Sequence, residues 1–480
     1  MKKICFLSIM VCTCACIHAQ GGPGGNPGGG GGNPGGGNSG YTIGGTSTTG
    51  YSQSSGTNTA SDKTYSSSGS DENAVQITGG TFSMENCTIT KSGDYSANSD
   101  NTSFYGVNSA VYVGCTSGSA TLNVDGGTIT TNAKGANAAF AYGNGVLNIS
   151  NTTIRCSEDL SRGIHATGGG TIVASNLDIR TEGSNSSVIA TDRGGGTVTV
   201  YGGSYVTTGG DCAVLYSTGT VSAANAIGSS SQGEVGVIEG DNTINIDNCT
   251  FSSGSASRGL MILQSGSGDS EGYNGAISIS NSTITMTDKN APLCEIPTNI
   301  TGTLTLDNAT LDIPSGILMY VDYNTRWTTY GGTGNLILKN GEYSGAANAD
   351  KYGTVHVTVE NSAKWFGSVD NANIAASANA TVDGIWVLDA DSNVDKLVIN
   401  EGATVYTNGH ILSYGSITNN GTLDSSTTGL NGGVAEITAS ETADSAVYNL
   451  SGQMVRKTSD NLKDLKPGIY IINGSKLVIK

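Results

Sequence analysis

Beyond the N-terminal segment the chain carries three histidines, His165, His356 and His410, far apart in sequence. Nucleophilic catalysis needs a base held within hydrogen-bond reach of its nucleophile, and this spacing offers no local pair of that kind. No His-Glu-x-x-His zinc motif is present. The densest group of acid–base residues is Arg162, His165, Asp178, Arg180, Asp192 and Arg193, a candidate catalytic cluster if successive turns of chain stack. Solvated polar positions are the plainer reading of it. Asp389, Asp391, Asn393 and Asp395 place oxygen ligands at alternate positions, as hard-cation loops do, so calcium is the one cofactor the chain suggests. Position six of that loop is Val394 where an EF-hand has glycine, and position twelve is Asn400. A polar turn between the apolar runs 385–388 and 396–399 explains the same residues.

What could position such groups follows from composition and period. Glycine supplies 72 of 480 residues, and only 13% are charged. Residues that stock long surface helices are scarce, which excludes a helix-rich enzyme. The net charge of −17 repels nucleic acid and anionic lipid. From about residue 74 to 430 a short motif recurs: aliphatic, spacer, two turn formers, Thr or Ser, apolar. Examples run from Ile77 to Phe82, Val124 to Ile129, Val200 to Tyr205, Ile246 to Phe251, Ile279 to Ile284 and Leu306 to Leu311. Alternating apolar residues make short half-buried strands, and Gly and Asn turn the corners. One copy cannot bury its own apolar face, so copies must stack. The expected fold is all-β: a parallel β-solenoid of about 13 coils, at roughly 4.8 Å per coil. A pair of β-sandwiches is the alternative.

Aligning the coils sets Phe140, His165, Ile189, Leu215, Val237 and Met261 in one column, with Tyr142 an outward neighbour. Small and aliphatic flanking columns, such as Ala139, Ile164, Val188 and Val214, suit the interior. The column itself then becomes an exposed, partly apolar stripe able to bind a linear chain. A register slip of one would bury it instead.

The ends differ from the repeat. Lys2 and Lys3, an apolar run and Ala19 have the layout of a secretory signal peptide over 1–19. A lipid-modified Cys16 is the rival reading. Residues 20–73 are rich in Gly, Pro, Ser and Thr and read as a flexible tether. No later run is apolar for 18 residues, so no membrane-spanning segment is expected. The six remaining cysteines, Cys87, Cys115, Cys156, Cys212, Cys249 and Cys294, read as small buried residues of the repeat, though 15 disulfide pairings are open. Residues 434–480 break the period, turn locally basic and read as a small β-domain with an Asn473-Gly474 hairpin.

The repeat resembles the right-handed parallel β-helix proteins of pectate-lyase-like architecture. That family includes polysaccharide lyases, polygalacturonases and surface adhesins. Resemblance at this level implies a fold and leaves activity open. The paired aspartates and Arg-Ile-Lys signature of polygalacturonases are absent from this sequence. The tail, in Val447 to Gln453 and Leu465 to Ile471, resembles the C-terminal sorting domain of type IX secretion cargo in Bacteroidota. That resemblance implies export to, or beyond, the outer-membrane surface of a Gram-negative cell, with the secretion machinery as partner. Two readings follow. One is a non-catalytic adhesin-like or structural protein that binds glycan on a host or bacterial surface. The other is a secreted polysaccharide lyase or glycoside hydrolase.

Overall fold

The structure is a computed structural model and describes residues 44–45, 50–96, 98–265, 270–323, 331–425, 447–449, 454–456, 468–472 and 475–479. The signal-peptide segment and most of the Gly/Pro-rich stretch lie outside the described residues.

Each coil contributes three strands, as in Gly236–Glu239, Thr243–Asp247 and Thr250–Ser253. Equivalent strands of successive coils pair in parallel, so 33 strands merge into one wrapped sheet. A separate five-stranded parallel sheet carries the third face from Gly341–Ser344 onward. The second face runs without a break from Thr57–Ser61 to Leu412–Asn419. The fold is thus a parallel β-helix, as the motif spacing implies.

The corner between second and third faces explains the repeat. Asn86, Asn151, Asn176, Asn225, Asn248, Asn281, Asn308 and Asn340 all take left-handed backbone angles there, φ 39–54°. Asparagine tolerates this region better than other residues with a Cβ, and where the sequence has Gly126-Gly127 or Gly202-Gly203 glycine does the same work. The amides also bond along the stack: Asn308 Nδ2 donates to Asn281 Oδ1 at 2.9 Å, and Asn151 Nδ2 to Asp125 Oδ1 at 2.7 Å. One copy of the motif sits elsewhere. Ile77 to Phe82 spans the corner between first and second faces, and the equivalent corner of that coil is Asn86-Cys87.

Inside, aliphatic columns stack coil on coil into one core. Toward the C-terminal coils the third face fills its interior with Tyr343, Trp365 and Trp386. The two indoles stack at 5.2 Å, and their N–H groups donate to Gly345 O and Gly367 O, both at 2.9 Å. Cys87, Cys156, Cys212, Cys249 and Cys294 are buried, Cys115 is half-buried, and all six are free thiols. Burial pushes the Cys156 thiol up to about 12, so it is inert at neutral pH.

The expected tether ends earlier than residue 73. Tyr51–Gln53, Thr57–Ser61 and Thr64–Ser67 form a first coil paired in parallel with the next. Its polarity is that of a cap. Gln53 is 5% exposed and its amide donates to Gly56 O and Thr81 O, both at 3.1 Å, closing the end of an interior column. Tyr51 stacks on Phe82 at 4.2 Å.

One helix, α1 (Ser99–Tyr105), interrupts the strands. Asn98 caps it by accepting from Asp100 N at 2.8 Å, and Gly106 ends it at φ 70°. A Cβ on Gly106 would lie 2.6 Å from the Phe140 ring, so glycine is required twice over. At the C-terminus Val447–Asn449, Met454–Arg456, Gly468–Ile472 and Ser475–Ile479 form a four-stranded antiparallel sheet. Ile472 pairs with Ser475, as a two-residue hairpin requires, while Asn473 and Gly474 lie outside the described residues.

Candidate functional site

The outward column of the first face reads, by register, Tyr112, Phe140, His165, Ala190, Tyr216, Val237, Met261, Glu295, Tyr320. The register divides the six residues of the expected stripe. Phe140, His165, Val237 and Met261 share the column, but Ile189 and Leu215 do not. Ile189 and Leu215 continue the Ile164 column into the core and are fully buried. Ala190 and Tyr216 stand in the row in their place.

The row has two regimes. Over its first three coils it is covered by the chain's own segment around α1. Thr167 Oγ1 donates to Phe104 O at 2.7 Å, Asn137 Nδ2 to Thr102 O at 2.9 Å, and Arg162 Nη1 to Ser103 Oγ at 3.1 Å. The Arg193 guanidinium lies 3.9 Å from the centre of the Phe104 ring, and Tyr142 meets Tyr105 at 6.1 Å. Under this strap Tyr112, Phe140 and His165 have no exposure at all. The stripe is not a free surface there.

From Ala190 onward the row is flanked by polar groups rather than covered by helix. Ala213, Val237 and Leu263, with Tyr216 and Met261, form a small apolar cluster outside the main core. Carboxylates and arginines ring it. The Tyr216 hydroxyl donates to Glu239 Oε1 at 2.7 Å, and Ser265 Oγ to Glu239 Oε2 at 2.6 Å. Arg258 places Nη1 2.7 Å from Glu295 Oε2 and Nε 3.5 Å from Glu234 Oε1, with its Nη1 also 3.0 Å from Met261 Sδ. Further along, Asp322 and Asp350 stand near Tyr320, raising its phenol after burial itself. Burial, opposed by Arg258, pushes the Glu295 carboxyl up to about 7. Glu234 and Asp322 are raised as well, in each case chiefly by burial. The apolar positions were legible as a stripe. The charged rim was not, because Glu234, Glu239, Arg258 and Glu295 come from three coils and lie outside the repeated motif.

The six-residue catalytic cluster does not form. Asp178 and Arg180 lie on the third face, where Asp178 pairs with Arg155 and Arg180 with Glu182. Arg162, His165, Asp192 and Arg193 belong to the first face, with Arg162 and Asp192 3.4 Å apart. His165 is buried with neither ring nitrogen hydrogen-bonded. Burial, then Arg162, holds its imidazole well below the usual range, so it is neutral and sealed from any substrate.

The calcium loop is likewise taken apart. Asp391 Oδ1 accepts from Ile411 N at 2.9 Å, and Asp395 Oδ2 from Ser377 Oγ at 2.7 Å and Ala378 N at 3.2 Å. Asn393 Nδ2 donates to Asp370 O at 3.0 Å, while Asp389 stands in a bend before the strand Ser392–Ile399. The Asp391 and Asp395 oxygens are thus engaged by the protein's own donors, and no metal-holding group of three or more His, Cys, Asp or Glu occurs among the described residues. Asn393 and Asp395 instead help line a shallow depression with Asp370, Ser413 and Tyr414.

One motif escaped the reading above. Gly268, Ser270 and Gly272 match the Gly-x-Ser-x-Gly spacing of a nucleophile elbow. An elbow needs a strand-to-helix turn, and α1 is the only helix among the described residues. Ser270 Oγ accepts from Asn242 Nδ2 at 2.6 Å in a loop, which is a structural contact.

No family model and no curated protein matches this chain. No helix among the described residues is long and apolar enough to cross a membrane.

Proposed function

We propose that the protein is an exported surface protein that binds a glycan chain along the first face of its β-helix and acts by binding rather than by catalysis. The observation that carries this reading is the row from Tyr216 to Tyr320, where apolar and aromatic side chains recur coil by coil between hydrogen-bonding carboxylates. At roughly 4.8 Å per coil such a row suits an extended polymer. Tyrosine offers a face for a sugar ring and a hydroxyl for its polar edge. The N-terminal layout, the pectate-lyase-like repeat and the sorting-like tail support an address at the outer-membrane surface or beyond, reached through type IX secretion.

Retention on immobilised polysaccharides tests the binding function. Tyr216→Ala and Tyr320→Ala should each weaken it while the melting temperature holds. Equal retention of wild type and both variants would refute it. Deleting residues 447–480 tests the address: the protein should then stay in the periplasm of a type IX-competent host.

One observation favours the second reading, a polysaccharide lyase or hydrolase. Glu295, raised to about 7 beside Arg258, has the acid strength of a neutral-pH proton donor. Release of unsaturated or reducing ends from a polysaccharide, lost in Glu295→Gln, would establish it and overturn the non-catalytic one.

A further inference from the structure

The charges along the row bear on which glycans it would accept. This step rests on the glycan-binding reading above and concerns the chemical class of the chain. Each arginine bordering the row among the described residues is already engaged by the protein. Arg162 faces Asp192 and Ser103 on the strap. Arg193 lies on the Phe104 ring. Arg258 is held between Glu234 and Glu295 and is 13% exposed. Beyond the row's end, the Lys351 ammonium lies 4.9 Å over the Tyr352 ring.

The carboxylates are not balanced in return. Among the described residues Glu239 is met by neutral hydroxyls, those of Tyr216 and Ser265. Asp350 accepts backbone amides, from Tyr352 N at 2.8 Å and Gly353 N at 3.0 Å, and Asp322 accepts Tyr323 N at 2.7 Å. Glu234 and Glu295 share the single Arg258. Counting Glu234, Glu239, Glu295, Asp322 and Asp350 against Arg258, the described residues along the row from Tyr216 to Tyr320 include more carboxyl groups than cations. A chain bearing a carboxylate or sulfate on every sugar would bring like charge to each coil, where the arginine described on the row, Arg258, is already held by Glu234 and Glu295. Hydroxyl groups, in contrast, donate well to carboxylates, and ammonium groups donate and neutralise.

We infer that the row selects chains of uncharged or amino-bearing sugars and excludes polyuronates and sulfated glycans.

The experiment is retention of the full secreted chain on four immobilised probes, xylan, chitosan, polygalacturonate and heparin, in low salt with EDTA. Xylan and chitosan should retain it, and retention on chitosan should fall as salt screens the charge. Polygalacturonate and heparin should not retain it. Glu239→Gln with Asp322→Asn should weaken chitosan retention about tenfold and leave xylan retention within about twofold. Wild-type retention on polygalacturonate or heparin in EDTA overturns the selectivity and leaves the glycan-binding reading standing. Retention on none of the four overturns that reading and the selectivity with it. A double variant whose chitosan retention is unchanged overturns the role given to the carboxylates.

Discussion

Phe140 and His165 stand one above the other on neighbouring coils, ring centroids 4.8 Å apart and nearly perpendicular, and neither reaches solvent. Both point away from the main core, yet α1 and its flanking residues seal them. The outer surface of the solenoid thus has a second interior over its early coils.

That burial gives His165 a pH signature. Its folded imidazole titrates below the unfolded value near 6.5, so its contribution is present above pH 6.5 and is lost as pH falls. Urea midpoints should drop between pH 7.5 and 5 more steeply in wild type than in His165→Leu. Parallel slopes would mean that the imidazole is not sealed.

Glu295 works in the opposite direction. Its folded value of about 7 lies above the unfolded one, so its contribution is present below about pH 4.5 and is lost as pH rises through 7. Glu295→Gln should gain on wild type at pH 8 and show no advantage at pH 4, with a difference of up to about 3 kcal/mol. Denaturation at the two pH values measures it.

Leu215 belongs to the core despite its place in the apparent stripe. Leu215→Ala should cost about 3 kcal/mol, through lost burial and the cavity left behind. Val173→Ala, at a side chain 48% exposed on the second face, should cost less than about 0.5 kcal/mol. Comparable losses at the two positions would contradict the register.

The corner asparagines invite a direct comparison. Asn281 holds φ 49° and bonds to Asp247 and Asn308 on adjoining coils. Asn281→Ala should cost about 1–2 kcal/mol, chiefly because it strains the left-handed corner, with a smaller loss from the solvent-exposed amide bonds along the stack. Asn281→Gly relieves the strain and should cost roughly half as much. Thermal melts of the two variants decide it.

The corners were legible because their chemistry is local: a left-handed backbone angle asks for Gly or Asn wherever it occurs. The first-face register was legible only in part because alternation fails there. Ile164, His165, Ala166 and Thr167 are all buried, the first and third against the core and the others beneath the strap. With both faces dry, Ile189-Ala190 offers no polar partner to fix which residue points inward. The first coil was concealed by its own role, since Thr57–Ser61 ends the stack and carries the polar residues of a linker. Helix α1 spans seven residues, five of Ser, Asp, Asn and Thr followed by two aromatics, too short to show a helical period.

The coil spacing bears on how such a chain acquires its structure. Asn148 meets Asn123, Asn151 meets Asp125 and Ser184 meets Asp159 at separations of 25 or 26 residues. Each coil needs only its predecessor as a template, so loop closure stays inexpensive at every step. Emerging chain can zip onto a growing end without waiting for distant sequence. Local pairing of this kind makes folding progressive rather than all-at-once, and the final length of the stack has little bearing on the difficulty of adding the next coil.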